Sequence, residues 1–318
     1  MFRWLKYVLA LGVVAATAAC NDSSTDASAP PPGNIAEVAQ ANGFTALAAA
    51  VDKAGLASAL TDSTAKLTVF APTDAAFAAL ATKLGFASAT AMVDALPASA
   101  LASILSYHVL PTELNAAALA AGGTTQSTLY DFDGSKAALT LAFDNGVTLT
   151  DAALTTAHVT QADIPASNGV IHVVDKVLVP PGVLNIVQMA QVNPNFSTLV
   201  GAVVSANLQA TLAGAGPFTV FAPTNDAFQA IASTVASLST DQLALVLSYH
   251  VLGSQVLSSQ IPFGTAVATL AGQNITINAG TPPTITDTTT TPAKIVATDV
   301  RASNGVIHVV DKVLIPAL

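Results

Sequence analysis

LTVFAPTDAAFAAL at residues 67–80 returns as FTVFAPTNDAFQAI at residues 218–231. In each copy a short run of β-branched and aromatic residues, 67–71 in the first, reads as a strand. Pro72 and Thr73 then turn the chain into a helix that Asp74 can cap and that carries Phe77 and Leu80. A strand leading through a proline turn into a helix is a unit of mixed structure, and the chain holds it twice.

Two more blocks repeat around it in the same order. LSYHVLP at 105–111 returns as LSYHVLG at 247–253, and ASNGVIHVVDKVLVP at 166–180 returns as ASNGVIHVVDKVLIP at 302–316. The offset shrinks from 151 (Phe70 to Phe221) through 142 (His108 to His250) to 136 (Gly169 to Gly305), so the first copy carries insertions between blocks that are themselves kept. Such a period is too long for a solenoid repeat and matches a domain. The expected organisation is two tandem domains, 34–180 and 181–318. Within the first, 35–41, 44–54 and 98–107 have helical apolar spacing, whereas 139–143, 147–150, 158–164 and 170–179 are strand-like, with turns at 144–146 and 168–169. Helices precede strands, the α+β pattern.

Ahead of the first domain, Arg3 and Lys6 precede an apolar run at 7–16 and the small residues Thr17, Ala18 and Ala19, the layout of an export signal over 1–19. Cys20, the only cysteine, stands at the expected cleavage point. This resembles the lipobox of bacterial lipoproteins, with Thr17 departing from the leucine usual three residues before the cysteine; an ordinary secretory signal is the alternative. Residues 20–33 are then a lipidated cysteine and a Ser-, Asp- and Pro-rich tether. Asn21 resembles the sorting pattern of outer-membrane lipoproteins, so the expected location is exported and membrane-anchored, at the outer membrane, facing periplasm or cell surface. With Cys20 acylated no thiol remains for a disulfide, and the fold must rest on buried apolar area.

Charge narrows the partners. Ten Lys and Arg against nineteen Asp and Glu give a net −9, which leaves no basic footprint for nucleic acid or an anionic bilayer. Contact with the membrane is expected through the lipid anchor only. The first domain has five Lys against twelve acids and the second three basic residues against five acids, so their surfaces differ. A mean hydropathy of +0.60 and an uncharged window at 198–214 imitate a membrane span, but the equivalent stretch of the first domain carries Asp52, Lys53 and Asp62, and both read as helices with one apolar face.

The three blocks together resemble the signature of fasciclin-like domains: TVFAPT with an acid or Asn and then AF, a Tyr-His pair, and NGVIHVVDKVL before a proline. The resemblance covers both copies. It implies two tandem fasciclin-like domains, each a β-wedge of two sheets with a group of helices, and a non-enzymatic adhesion and matrix-interaction lipoprotein whose partners are extracellular or cell-wall protein or polysaccharide. It also associates the Tyr-His segment, Tyr107, His108, Tyr249 and His250, with folding and adhesion. An Asp-Ile pair before the last block is a proposed integrin contact in animal members. Asp163 with Ile164 matches it, and Asp299 with Val300 departs conservatively; both pairs also read as turn caps beside core residues.

Other chemistry finds little support in the residues. His108, His172, His250 and His308 with Asp175 or Asp311 lack the spacing of a metal set, and an imidazole after a helix or inside a strand is ordinarily satisfied by backbone. Ser106 and His108 lie two apart on a helix, pointing to different faces, with no nucleophile elbow. The run at 131–135 has glycine at the wrong position for a calcium loop and reads as a hairpin turn. No catalytic residue, metal or cofactor is expected. The alternative function is a carrier for a small apolar or sugar ligand, which requires a pocket that the sequence does not reveal.

Overall fold

In the computed structural model, which describes residues 32–318, the block at 67–80 folds as a strand and a helix in direct succession. The strand, β1 (Leu67–Pro72), is buried beyond its first residue. Side chains alternate across it: Val69 and Ala71 enter the core beneath the helices, and Phe70 enters an apolar cluster on the other face. Thr73 caps the helix Asp74–Lys83, accepting from the Ala76 N–H at 3.1 Å. The expectation that Asp74 caps this helix is therefore corrected. Asp74 caps another one, Thr45–Ala54, accepting from the Ala46 N–H at 2.8 Å and from the Thr45 hydroxyl. That helix starts after Phe44, which has no side-chain acceptor for its free amides. Asn225 repeats the arrangement for the helix Ser197–Ser205, accepting from the Thr198 N–H at 3.0 Å.

The first domain continues with β2 (Val109–Leu110), β3 (Thr125–Phe132), β4 (Ser135–Ala142), β5 (Thr148–Thr150), β6 (Thr156–Ala166) and β7 (Gly169–Val174). Their order is β2-β1-β7-β6-β5-β4-β3, with β1 and β7 parallel and the other neighbours antiparallel. The start of β6 pairs with β5 and the rest with β7; register shifts fall between Val159 and Gln161 and between Gln161 and Ile164. Bulges bend a strand, so β6 passes from one sheet to the other and the seven strands make a wedge. The second domain repeats this with β8 (Phe218–Pro223), β9 (Val251–Leu252), β10 (Ala266–Ala268), β11 (Asn274–Asn278), β12 (Thr284–Thr286), β13 (Ala293–Ala302) and β14 (Gly305–Val310), ordered β10-β11-β12-β13-β14-β8-β9.

Gly169 and Gly305 make the parallel pairing possible. Gly169 lies opposite Leu67, and a Cβ there would fall 2.1 Å from the Leu67 carbonyl oxygen. Gly305 stands in the same relation to Phe218.

Several elements differ from the sequence expectation. β3 was not anticipated, and the strand expected over 170–179 stops at Val174, where Asp175 accepts from the His158 N–H at 2.7 Å. The hairpin at 131–135 forms as expected between β3 and β4, with Asp133 at φ 54°. The uncharged window at 198–214 breaks at Asn207, φ 57°, into Ser197–Ser205 and Gln209–Ala213. Among the described residues no single helix is long and apolar enough to cross a membrane. The expected signal, Cys20 and the tether to residue 31 lie outside the described residues.

The two domains share buried surface. One apolar cluster runs from Ile35, Phe77 and Ile171 through Leu184 and Met189 to Val220 and Ile307. Polar bonds also cross between the domains: Lys83 Nζ donates to the Val192 carbonyl at 2.8 Å, and the buried Asn193 Nδ2 to the Ala153 carbonyl at 2.8 Å.

Candidate functional site

The Tyr-His block ends a helix in each domain, Ala98–Tyr107 and Thr240–Tyr249. A helix end leaves carbonyls without partners, and the histidine that follows meets one of them. His108 Nδ1 donates to the Ile104 carbonyl at 2.7 Å, and its Nε2 accepts from the Leu178 N–H at 2.9 Å. His250 does the same with the Val246 carbonyl (2.8 Å) and the Leu314 N–H (2.8 Å). Only the neutral Nδ1–H form satisfies both contacts, because a proton on Nε2 would face another donor. Burial pushes the pKa of each down to about 4, against a smaller opposing pull from the helix carbonyl. The preceding tyrosine buries its ring and places its hydroxyl on the second sheet: Tyr107 donates to the Ala138 carbonyl at 3.0 Å, Tyr249 to the Asn274 carbonyl at 2.8 Å. Desolvation raises both phenol pKa values. Tyr107, His108, Tyr249 and His250 are each about 1% exposed, so they tie helix, wedge and final segment together and present no surface to a partner.

The Asp-Ile and Asp-Val pairs occupy the bulges of β6 and β13. Asp163 and Asp299 both adopt φ 60°, a left-handed conformation that Asp tolerates better than most residues. Their backbone amides donate to the buried strand histidines, Asp163 N–H to His172 Nδ1 at 3.2 Å and Asp299 N–H to His308 Nδ1 at 3.3 Å. The far ring nitrogens donate to the carbonyls of Leu114 (3.0 Å) and Val256 (2.9 Å). The carboxylates then hold the segment after β2 or β9. Asp163 accepts from the Ala116 N–H at 2.8 Å; Asp299 accepts from the Ser258 N–H at 2.9 Å and from its hydroxyl. Alanine at 116 offers no hydroxyl, so Asp163 lacks that second bond, and its side chain is 49% exposed. Ile164 is half-buried against the core, and Val300 is within it. Of the eight candidate residues, Asp163 is the most exposed; Asp299 and Ile164 are half-buried and the other five are buried.

Asp175, considered beside the buried histidines, instead bonds the exposed His158, both at its amide and at Nδ1 (3.0 Å). From sequence, 168–169 reads only as a turn and Asp151 and Asp287 carry no assigned role, yet these polar positions organise each copy. Asn168, wholly buried, accepts from the Ile35 N–H and donates to the carbonyls of Leu60 and Asp62; Asn304 does so for Ile186, Leu212 and Gly214. The repeat of ASNG was the available signal. Asp151 and Asp287 each lock the final segment, accepting from the Val179 and Ile315 amides. Burial raises the Asp151 pKa; at Asp287 the same burial is outweighed by Lys312, at 2.8 Å, and Thr289, and the pKa falls.

A family model described as "Fasciclin domain" matches residues 42–180 and 194–316. Protein sll1483 of Synechocystis is 44% identical over 140 residues, which cover 42% of this chain and 75% of that protein. Transforming growth factor-beta-induced protein ig-h3 of Oryctolagus cuniculus is 30% identical over 259 residues, covering 79% of this chain but only 35% of ig-h3. Among solved structures, a FAS1 domain pair from the insect cell adhesion molecule Fasciclin I aligns over 89% of this chain and 95% of its own, with 18% identity and a TM-score of 0.43.

Proposed function

The chain belongs to the fasciclin domain family, and from that premise we propose that it is a non-enzymatic adhesion and matrix-interaction protein, exported and held at a membrane by a lipid on Cys20. Fasciclin domains are known in adhesion and extracellular matrix proteins, and this chain carries two in tandem, an arrangement that raises the effective concentration of the second contact once the first is made. The observation that carries the reading is the solvent-facing bulge of β6. There Asp163 stands half-exposed on a backbone fixed from beneath by His172, a rigid acidic point of the kind that suits polar recognition. The partner is an extracellular or cell-wall protein or polysaccharide.

Beads coated with the full-length chain, passed over immobilised matrix proteins and cell-wall glycans, test this directly. Retention on at least one surface above that of albumin-coated beads is expected. Retention no better than albumin on every surface overturns the adhesive reading.

A further inference from the structure

The helices of the first domain leave a gap above its sheet. Between Ile35–Ala41, Thr45–Ala54 and β1 lies an open, largely apolar cavity of about 200 Å³, with Val69, Ala71 and Ile171 beneath and Leu47 and Val51 at its side. The matching space in the second domain, among Ile186, Leu199, Val203 and Val220, holds only about 30 Å³. The helices and strand around the two spaces correspond, apart from the short helix Pro194–Phe196 that the second domain adds, and the side chains differ at two matched lining positions. Ala36 is the second residue of its helix and Val187 the second of the matching helix; Ala48 and Val200 are each the fourth of the next. All four line their cavities. Two alanines in place of two valines remove methyl groups from the space in the first domain.

An unfilled apolar space forfeits contacts that a packed core would make, and the second domain shows that this fold can fill it. For scale, an engineered apolar cavity of about 150 Å³ stays dry and takes up benzene, so this one suits a somewhat larger molecule. The lining sets the chemistry. His108 reaches the cavity, but both its ring nitrogens are engaged by backbone. Gln40 and Asp52 are exposed and stand at the rim. The Asp52 carboxylate opposes an anionic ligand, and Val204 takes its place, eighth in the helix, in the second domain.

We propose that the first domain is a binding site for an uncharged, hydrocarbon-rich small molecule, and that Val187 and Val200 close the same site in the second. This site is independent of the adhesion reading and of Asp163.

The test is a titration of the full-length chain with N-phenyl-1-naphthylamine, an uncharged probe that brightens on leaving water, followed by displacement with decanol or decanoate. One saturable site per chain is expected, with decanol displacing the probe at lower concentration than decanoate. Ala36→Val/Ala48→Val should weaken binding by at least about tenfold and melt cooperatively at or above the wild-type temperature; should that pair not fold, Ala48→Val alone is judged by the same criterion. Val187→Ala/Val200→Ala should add a second site. Absence of saturable binding, or unchanged affinity in the folded alanine-to-valine variant, overturns the site. Equal displacement by decanol and decanoate overturns its preference for uncharged ligands. An unaltered stoichiometry in folded Val187→Ala/Val200→Ala overturns the role given to those valines.

Discussion

The guanidinium carbon of Arg301, on β13 of the second domain, lies 5.1 Å from the centroid of the Phe132 ring at the tip of the β3–β4 hairpin of the first. Arg301 Nη1 also meets Asp133 Oδ2 at 3.2 Å. The next residue to touch this contact is Gly182, where a Cβ would fall 2.3 Å from Phe132; glycine therefore lets the linker pass beneath the ring. The hairpin of one domain thus grips a strand of the other, at a joint already sealed by shared apolar surface.

Each half holds all three sequence blocks and its own seven-strand wedge, so 34–180 and 181–318, expressed separately, should each melt cooperatively. Arg301→Ala in the full chain should cost about 1–2 kcal/mol, the sum expected of a partly desolvated cation–π contact and an exposed ion pair. In isolated 181–318 the same substitution should cost almost nothing, since Phe132 and Asp133 are gone. Chemical denaturation of the four proteins decides; equal losses in both contexts would mean that the grip contributes no stability.

Histidine burial sets the acid limit. His108 and His250 have folded pKa values near 4, below the value near 6.5 of an unfolded histidine. Between those values the unfolded chain binds protons that the folded chain does not, so stability rises with pH there and is lost as pH falls from about 6.5 to 4. The loss should approach roughly 3 kcal/mol per histidine. Asp287, whose pKa is lowered, adds a further loss below the ordinary carboxylate range, whereas Asp151, raised by burial, opposes it. Urea midpoints measured from pH 7 to 4 should fall steadily, and His108→Gln/His250→Gln should flatten that slope.

Much of this was legible in the sequence where neighbours in sequence are neighbours in space. TVFAPT followed by AF gave strand, turn and helix because the alternation and the cap lie within a few residues. The parallel pairing of Leu67 with Gly169 was not legible, since no local pattern states which distant strand will lie alongside. β3 carries no clear local signal because it is half polar and only Thr128 is fully buried. Proximity in sequence points Asp74 to the nearer helix, because the helix that lacks a cap begins far earlier, at Thr45. The cavity depends on alanine against valine at positions 36 and 48, a contrast that gains meaning only once the helices are placed over the sheet.

The proposal of a lipid anchor rests on the run before Cys20 and on its being the only cysteine. Metabolic labelling with a palmitate analogue in a bacterial host should mark the wild type, and Cys20→Ser should lose both label and membrane retention. Equal labelling of the mutant would show that the thiol is not the acceptor.

Asp163 and Asp299 separate adhesion from scaffold, because their backbone and their carboxylates make different demands. At φ 60° alanine is strained and cannot cap, so Asp163→Ala or Asp299→Ala should each cost about 1–3 kcal/mol. Asparagine tolerates the left-handed backbone and can still accept from the Ala116 or Ser258 amide while carrying no charge, so it should cost little. If Asp163 is a contact, Asp163→Asn should reduce bead retention at unchanged melting temperature, and Asp299→Asn should do so less, because Ser258 already occupies both oxygens of Asp299. Retention that follows melting temperature across the whole set would mean that these aspartates only hold the bulge. The adhesive surface would then have to lie elsewhere on the exposed faces of the wedge, since Tyr107, His108, Tyr249 and His250 are buried and can reach a partner only by opening the core.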